Sequence, residues 1–149
     1  MSKDSYVIGV DPDTKKHGVA IYENGKLTRL SMMESYPLAI LAQSKEAIVF
    51  IEDVMSNQFV YGRNAHKSKS AQSKIAMRVG RCQQAQVELV RLLHHLEVVC
   101  KAYKPQVGNW AKNKALFQNV TGWQGTSNED TRSAAYFGHL GLNWLQRQA

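Results

Sequence analysis

Only two cysteines, Cys82 and Cys100, and three prolines occur among the 149 residues. Two thiols are too few for a disulfide scaffold or a four-thiolate zinc site, and they suit a reducing, cytoplasmic setting. No stretch approaches the roughly 20 apolar residues that a membrane span requires. The opening MSKDSYVIGVDPD lacks a positive region leading into an apolar core, so it does not read as a secretory signal. Internal repeats, low-complexity tracts and Pro-rich linkers are also missing, and the expectation is one domain over residues 1–149. At 44% hydrophobic residues, a chain of this length buries on the order of two-thirds of its unfolded surface. That excludes intrinsic disorder.

Negative charge is scarce in two long stretches. Eight of the 12 acids lie in the first 53 residues, and none lies between Met55 and Val87 or between Val98 and Asn128. The first of those stretches carries Arg63, Lys67, Lys69, Lys74, Arg78 and Arg81; the second carries Lys101, Lys104, Lys112 and Lys114. With 19 basic residues and a formal charge of +7, such acid-free blocks suit a polyanion, because each cation placed at a phosphate releases condensed counterions.

Hydrophobic patterning predicts a mixed α/β chain. Tyr6–Val10 and Gly18–Tyr22 read as strands joined by the turn-rich DPDTKKH. Asn24-Gly25 then signals a tight turn into a third strand, Lys26–Leu30. Pro37–Lys45 suits a short helix, and the continuous apolar run Ala47–Ile51 suits a strand buried on both faces. Ser56–Ser70 reads as a loop. The spacing of Ile75, Val79, Cys82, Gln86, Leu89, Leu93 and Leu96 predicts a long amphipathic helix over Ala71–Leu96. A strand at Glu97–Tyr103, a helix over Gln106–Val120 after Pro105, and a last helix over Glu129–Gln146 complete the order. Ser127 or Asn128 is the candidate cap of that last helix.

Three acids occupy positions where α/β folds gather chemistry: Asp11 and Glu52 at strand ends, and Asp130 at the opening of the last helix. If the first and fourth strands are neighbours, Asp11 and Glu52 emerge together, and their repulsion calls for a cation between them. Oxygen ligands without a surrounding His/Cys set favour Mg²⁺, with Mn²⁺ as a substitute. The histidines His17, His94, His95 and His139 lack such partners in sequence, and Cys82 reads as a packing residue.

These residues carry a resemblance. VIGVDPDTKKHGVAIY, FIEDV, MRVGRCQQAQVEL, YKPQVGNWAKNKALF and NEDTRSAAYFG together resemble, in order, the segments of RuvC-type Holliday-junction resolvases of the RNase H-like nuclease superfamily. The resemblance spans almost the whole chain. It implies an RNase H-like, mixed five-stranded sheet with helices on both faces, and a DNA endonuclease active in recombination and repair. It further implies two Mg²⁺ ions held by Asp11, Glu52 and Asp130, a basic segment offering Lys112 and Lys114 to the scissile phosphate, and a homodimer resolving four-way DNA junctions by paired nicks. A bacterial or phage setting is compatible with so small a domain.

Two positions depart from the pattern. The family usually has Gly where Asp13 stands, and a second acid where Ser133 stands in the last helix. The fourth ligand therefore stays open: Asp130 alone, Asp130 with Glu129, or help from Asp13 or Asp53. Lys15 and Lys16 sit in the turn beside Asp11 and suit the same DNA backbone. Phe59, Tyr61, Arg63 and Lys67, with Lys69, Lys74, Arg78 and Arg81 after them, interleave aromatics with cations as splayed nucleotides require. The stripe on the long helix suits a dimer interface or packing against the sheet. Competing expectations are a YqgF-type RNase acting on structured or ribosomal RNA, whose Asp-Glu-Arg motif is missing here, and a non-catalytic nucleic-acid-binding protein of the same fold.

Overall fold

The computed structural model describes residues 5–56 and 68–148. Three strands, β1 (Tyr6–Asp11), β2 (His17–Glu23) and β3 (Lys26–Met33), form the meander that the turn signals predict. Asn24 and Gly25 both take positive φ in the second turn, where these two residue types carry the smallest steric penalty. Helix α1 (Ser35–Ser44) leads into β4 (Ile48–Glu52), and helix α2 (Lys69–His95) leads into β5 (Val99–Tyr103). The sheet runs β3-β2-β1-β4-β5. Strands β1 and β2 pair antiparallel, as do β2 and β3, whereas β4 lies parallel to both β1 and β5.

Both crossover helices end in the same way. Glu46 and Glu97 each adopt a left-handed φ, and the next amide (Ala47 or Val98) donates back to the carbonyl of Ala42 or Leu93. This closure turns the chain sharply from helix to strand. It also shortens the expected strand, which begins at Val99 rather than Glu97.

Side-chain alternation along the strands divides the core between two faces. On one face Ile8, Val10, Val19, Val49 and Ile51 pack with Leu38, Ala39, Leu89 and Leu93 of α1 and α2. The C-terminal half of the α2 stripe is thus spent on the sheet, while Ile75 and Val79 stay half-buried. On the other face Val7, Ala20, Tyr22 and Phe50 meet helices α3 (Lys114–Thr121) and α4 (Glu129–Gln148), represented by Phe117, Ala134, Ala135 and Leu142. Helices therefore cover both faces of the sheet.

The predicted helix over Gln106–Val120 is corrected: only Lys114–Thr121 is helical. Residues 104–113 form an irregular segment pinned by side chains. Trp110 is buried, with its ring 5.2 Å from that of Tyr136 and 6.0 Å from that of Phe117. The Asn109 side chain accepts from the Ala111 amide, a local bond that competes with helix. Asn113 then caps α3 by accepting from the Leu116 amide. Asn128, and not Ser127, caps α4: its Oδ1 accepts from the Thr131 amide while Thr131 Oγ1 accepts from the Asn128 amide.

Candidate active site

Strand pairing brings the acids together. Val10 lies beside Ile51 in the parallel β1–β4 register, so Asp11 and Glu52, the next residue on each strand, leave the sheet side by side. Asp11 shares a face with Val7 and Gly9, and Glu52 shares one with Phe50, so both carboxylates turn toward α4.

Gly18 settles the third position. It pairs with Asp11 across β1 and β2, and a Cβ there would collide with the backbone carbonyl of Asp130. Only a glycine lets the first turn of α4 lie this close to the sheet. Asp130 therefore stands over the end of β1. Asp11, Asp13, Glu52 and Asp130 line one cavity of about 280 Å³, closed on its other side by Val54, Arg78, Val79 and Cys82.

The electrostatics record the crowding. Burial pushes the Asp11 carboxyl up to about 8, with the Glu52 charge adding to it and Asp130 adding less. Burial also raises Glu52, which the hydrogen bond from Asp11 partly offsets. Both carboxyl groups of the pair are thus held above the ordinary carboxylate range. Asp130 is raised as well, by burial first and then by the charges of Asp13 and Glu129.

Two side chains that sequence reasoning passed over shape the site's edges. Gln86 is buried on α2 and looked like one more member of the apolar stripe. Its Oε1 accepts from the amides of Val54 and Met55, and its Nε2 donates to Asp53. Gln86 thereby anchors the backbone just after Glu52. Substituting Gln86→Leu takes the acceptor from the buried Val54 amide and removes the bonds to Met55 and Asp53; it is expected to cost about 1–3 kcal/mol, read as a fall in the urea midpoint. An unchanged midpoint would show that the anchor carries no stability.

His17, also buried, accepts the Asp13 amide at Nδ1 and so presents the protonated Nε2 to Ser35 Oγ at 2.7 Å. Its burial holds the imidazole below its usual pKa, and the neutral ring shapes the turn that carries Asp13. Cys82, read as packing, lines the acid cavity, with Sγ 3.8 Å from Asp13 Oδ1.

The other expected site residues fall in different places. Lys74, Arg78 and Arg81 line a cleft of about 680 Å³ with Asp13, Thr14 and Met77. Asp13 and Arg78 border both cavities, so the basic cleft opens directly beside the acids. Lys69 is exposed at the start of α2, and Lys15 and Lys16 are exposed in the turn after Asp11. Glu129 is exposed and does not line the acid cavity, since its helical position turns it about 100° from Asp130. Asp53 points away toward Gln86.

Lys112 and Lys114 are exposed beside the pinned segment and do not line the acid cavity either. That segment is held by Arg132, whose Nε and Nη2 both donate to the Ala111 carbonyl. Phe59, Tyr61, Arg63 and Lys67 lie outside the described residues.

Among the described residues, no three His, Cys, Asp or Glu side chains form a ready-made metal cage. The donor chemistry nevertheless fits a hard divalent ion. Asp11 and Glu52 are adjacent carboxylates, each favouring its protonated form, with the Asp130 charge acting on the same spot. A cation offsets that repulsion as a proton does.

No family model matches the sequence, and no curated protein matches it. Among solved structures, the chain is similar to Thermus thermophilus RuvC in complex with Holliday junction substrate, at 13% identity and a TM-score of 0.64, with 97% of each chain covered. It is also similar to another RuvC structure from Thermus thermophilus, at 12% identity and a TM-score of 0.55, with 96% of each chain covered. At these identities the likeness establishes the architecture: a RuvC-like RNase H fold.

Proposed function

We propose that this chain is a Mg²⁺-dependent endonuclease that resolves four-way DNA junctions, acting as a homodimer that makes paired symmetric nicks. The observation that carries the reading is the crowding of Asp11, Glu52 and Asp130 in one cavity, bordered by the cleft of Lys74, Arg78 and Arg81. Carboxylates this crowded are a liability for stability alone, and they make sense where a cation is bound.

In this reading Asp11, Glu52 and Asp130 hold the ions, with Glu129 as the less favourably placed fourth candidate. Bound Mg²⁺ ions would activate a water and stabilise the departing 3′ oxygen. The chain's own cations do the rest. Lys74, Arg78 and Arg81 track one strand past the acids, and Lys15 and Lys16 approach the same backbone from the turn. Lys112 and Lys114 offer positive charge to the scissile phosphate as the DNA closes on the pinned segment. Phe59, Tyr61, Arg63, Lys67 and Lys69 extend the contact toward splayed nucleotides at the junction centre. A two-fold symmetric substrate cut on opposing strands asks for a two-fold symmetric enzyme.

Ser133 favours a second reading, a nucleic-acid-binding protein that keeps the fold without cutting. Incubation of a synthetic four-way junction with Mg²⁺ or Mn²⁺ separates the two. Wild type is expected to make paired nicks, and Asp11→Asn and Glu52→Gln to cut at less than about one hundredth of its rate. Junction binding with no cleavage at any divalent ion would establish the binder instead. Preferential cutting of structured RNA would transfer the chain to the RNase class.

A further inference from the structure

The cleft beside the acids holds three kinds of chemistry, and a phosphate track uses only one of them. Lys74, Met77, Arg78 and Arg81 recur at helical spacing on α2, so they share one face of the helix and line the cleft together. Met77 is 55% exposed among those cations. An apolar side chain adds nothing to phosphate binding, but a thioether gains from contact with a flat aromatic ring. The turn after Asp11 supplies the rest of the lining, Asp13 and Thr14. Among the described residues Asp13 is the only acid on the cleft's walls, and a carboxylate repels a passing phosphate. A surface meant for backbone alone has no use for either Met77 or Asp13.

Asp13 is also held in place. Pro12 restricts the backbone before it. Its amide donates to Nδ1 of the buried His17 at 3.1 Å, and that ring is tied in turn to Ser35. Its Oδ1 accepts from the Thr14 amide at 2.7 Å, with the Cys82 thiol 3.8 Å away. Its Oδ2 has no hydrogen bond among the described residues. A carboxylate fixed through one oxygen and open at the other is suited to accept from an amino group. The cleft's volume of about 680 Å³ lies within the range of about 300–1,000 Å³ that small-ligand sites occupy. It has room for a nucleotide.

We propose that this cleft binds an unpaired nucleotide whose base carries an exocyclic amino group, and that Asp13 selects that base. Lys74, Arg78 and Arg81 take the flanking phosphates, Met77 packs on the face of the base, and Asp13 accepts from its amino group. The base is unpaired because stacking in a duplex covers the face that Met77 needs. This rests on the nucleic-acid-binding part of the reading above and is independent of metal and cleavage.

Cytosine and thymine provide the probe. They are pyrimidines of nearly equal size, but cytosine presents an amino donor where thymine presents a carbonyl acceptor. Fluorescence anisotropy is read with short labelled oligo(dC) and oligo(dT) on wild type, Asp13→Asn and Met77→Ala, each checked for an intact fold by circular dichroism. EDTA is present throughout, so that no divalent ion bridges Asp13 to the DNA.

Wild type is expected to bind oligo(dC) at least about 5-fold more tightly than oligo(dT). Asn at position 13 keeps the Thr14 bond through its own Oδ1 and offers a donor at the other position, so the preference should vanish or reverse toward oligo(dT). Loss of a repulsive charge alone would tighten both oligomers equally and leave their ratio unchanged. Met77→Ala should weaken both by about 2- to 10-fold at an unchanged ratio.

Equal wild-type affinities for the two oligomers, or a preference that survives in Asp13→Asn, overturns the selection by Asp13. Wild-type affinity in Met77→Ala overturns the seating of the base in the cleft. Binding of a four-way junction with no binding of either oligomer overturns the unpaired nucleotide and leaves the proposed function standing. Failure to bind any of these DNAs overturns both.

Discussion

Replacing Asp11 with Asn is expected to raise the thermal stability of the metal-free protein at pH 8, even as it removes the residue on which cleavage most depends. The cause is the raised Asp11 pKa, about 8 in the folded chain against an ordinary 3.8. Between those values the folded protein holds a proton that the unfolded chain releases, so stability falls as pH rises through this window. It is fully present below about pH 4 and lost by about pH 8.

At about 1.4 kcal/mol per unit, the shift corresponds to at most about 6 kcal/mol. Relaxation and water entry reduce such penalties, and about 2 kcal/mol, or roughly 4–8 °C in Tm for a domain of this size, is the expected gain. Asn matches Asp in shape and brings an Nδ2 donor to the neighbouring Glu52 carboxylate, with no charge of its own. Melting curves from pH 4 to 8 without divalent ions provide the measurement. Wild type should lose stability across that range, and Asp11→Asn should lose clearly less, the remainder coming from the raised Glu52 and Asp130. Parallel pH profiles for the two proteins would refute the raised Asp11 pKa.

The second large effect concerns the basic cleft. Lys74, Arg78 and Arg81 are exposed on one helix, so replacing all three with Ala should leave the fold intact. Each cation that meets a phosphate contributes about 0.9 to the slope of log K against log salt for duplex DNA. The triple variant is therefore expected to bind junction DNA on the order of 100-fold more weakly near 0.15 M salt, with a slope shallower by about three. Fluorescence anisotropy titrations at several salt concentrations would give both numbers. An unchanged slope would move the DNA to another face of the protein. Arg78 has the further distinction of bordering the acid cavity, so its single replacement should also lower the cleavage rate of bound DNA.

Much of the architecture is legible in the chain because it depends on local periodicity. The apolar runs at Tyr6–Val10 and Ala47–Ile51 alternate or saturate as strands do, and the stripe from Ile75 to Leu96 repeats at helical spacing. Asn24-Gly25 specifies its turn through backbone conformations that few other residues tolerate. The predicted helix over Gln106–Val120 failed at its first half for a non-local reason. Trp110 is worth more against Tyr136 and Phe117 than on an exposed helical turn, and Arg132, 21 residues away, takes the Ala111 carbonyl.

Gln86 was equally opaque. At helical spacing it is indistinguishable from an apolar position, and its role appears only when β4 delivers the Val54 and Met55 amides to it. Glu129 and Asp130 are both acids in the first turn of α4. Which one faces the sheet depends on where Asn128 starts the helix and on how closely Gly18 lets it approach.

By itself, then, the sequence determined the elements, the placing of acids at strand ends and the acid-free basic stretches, because residue type and short-range spacing suffice for these. The tertiary structure alone decided which acids meet, that Arg78 and Asp13 join the acid cavity to the basic cleft, and that Asn109 of the pinned segment bonds to Ser133 of α4. Those outcomes depend on strand register, on the approach of α4 over Gly18 and on hydrogen bonds between residues 24 or more positions apart. No local pattern encodes such distances; they follow only when the two faces of the sheet are covered at once.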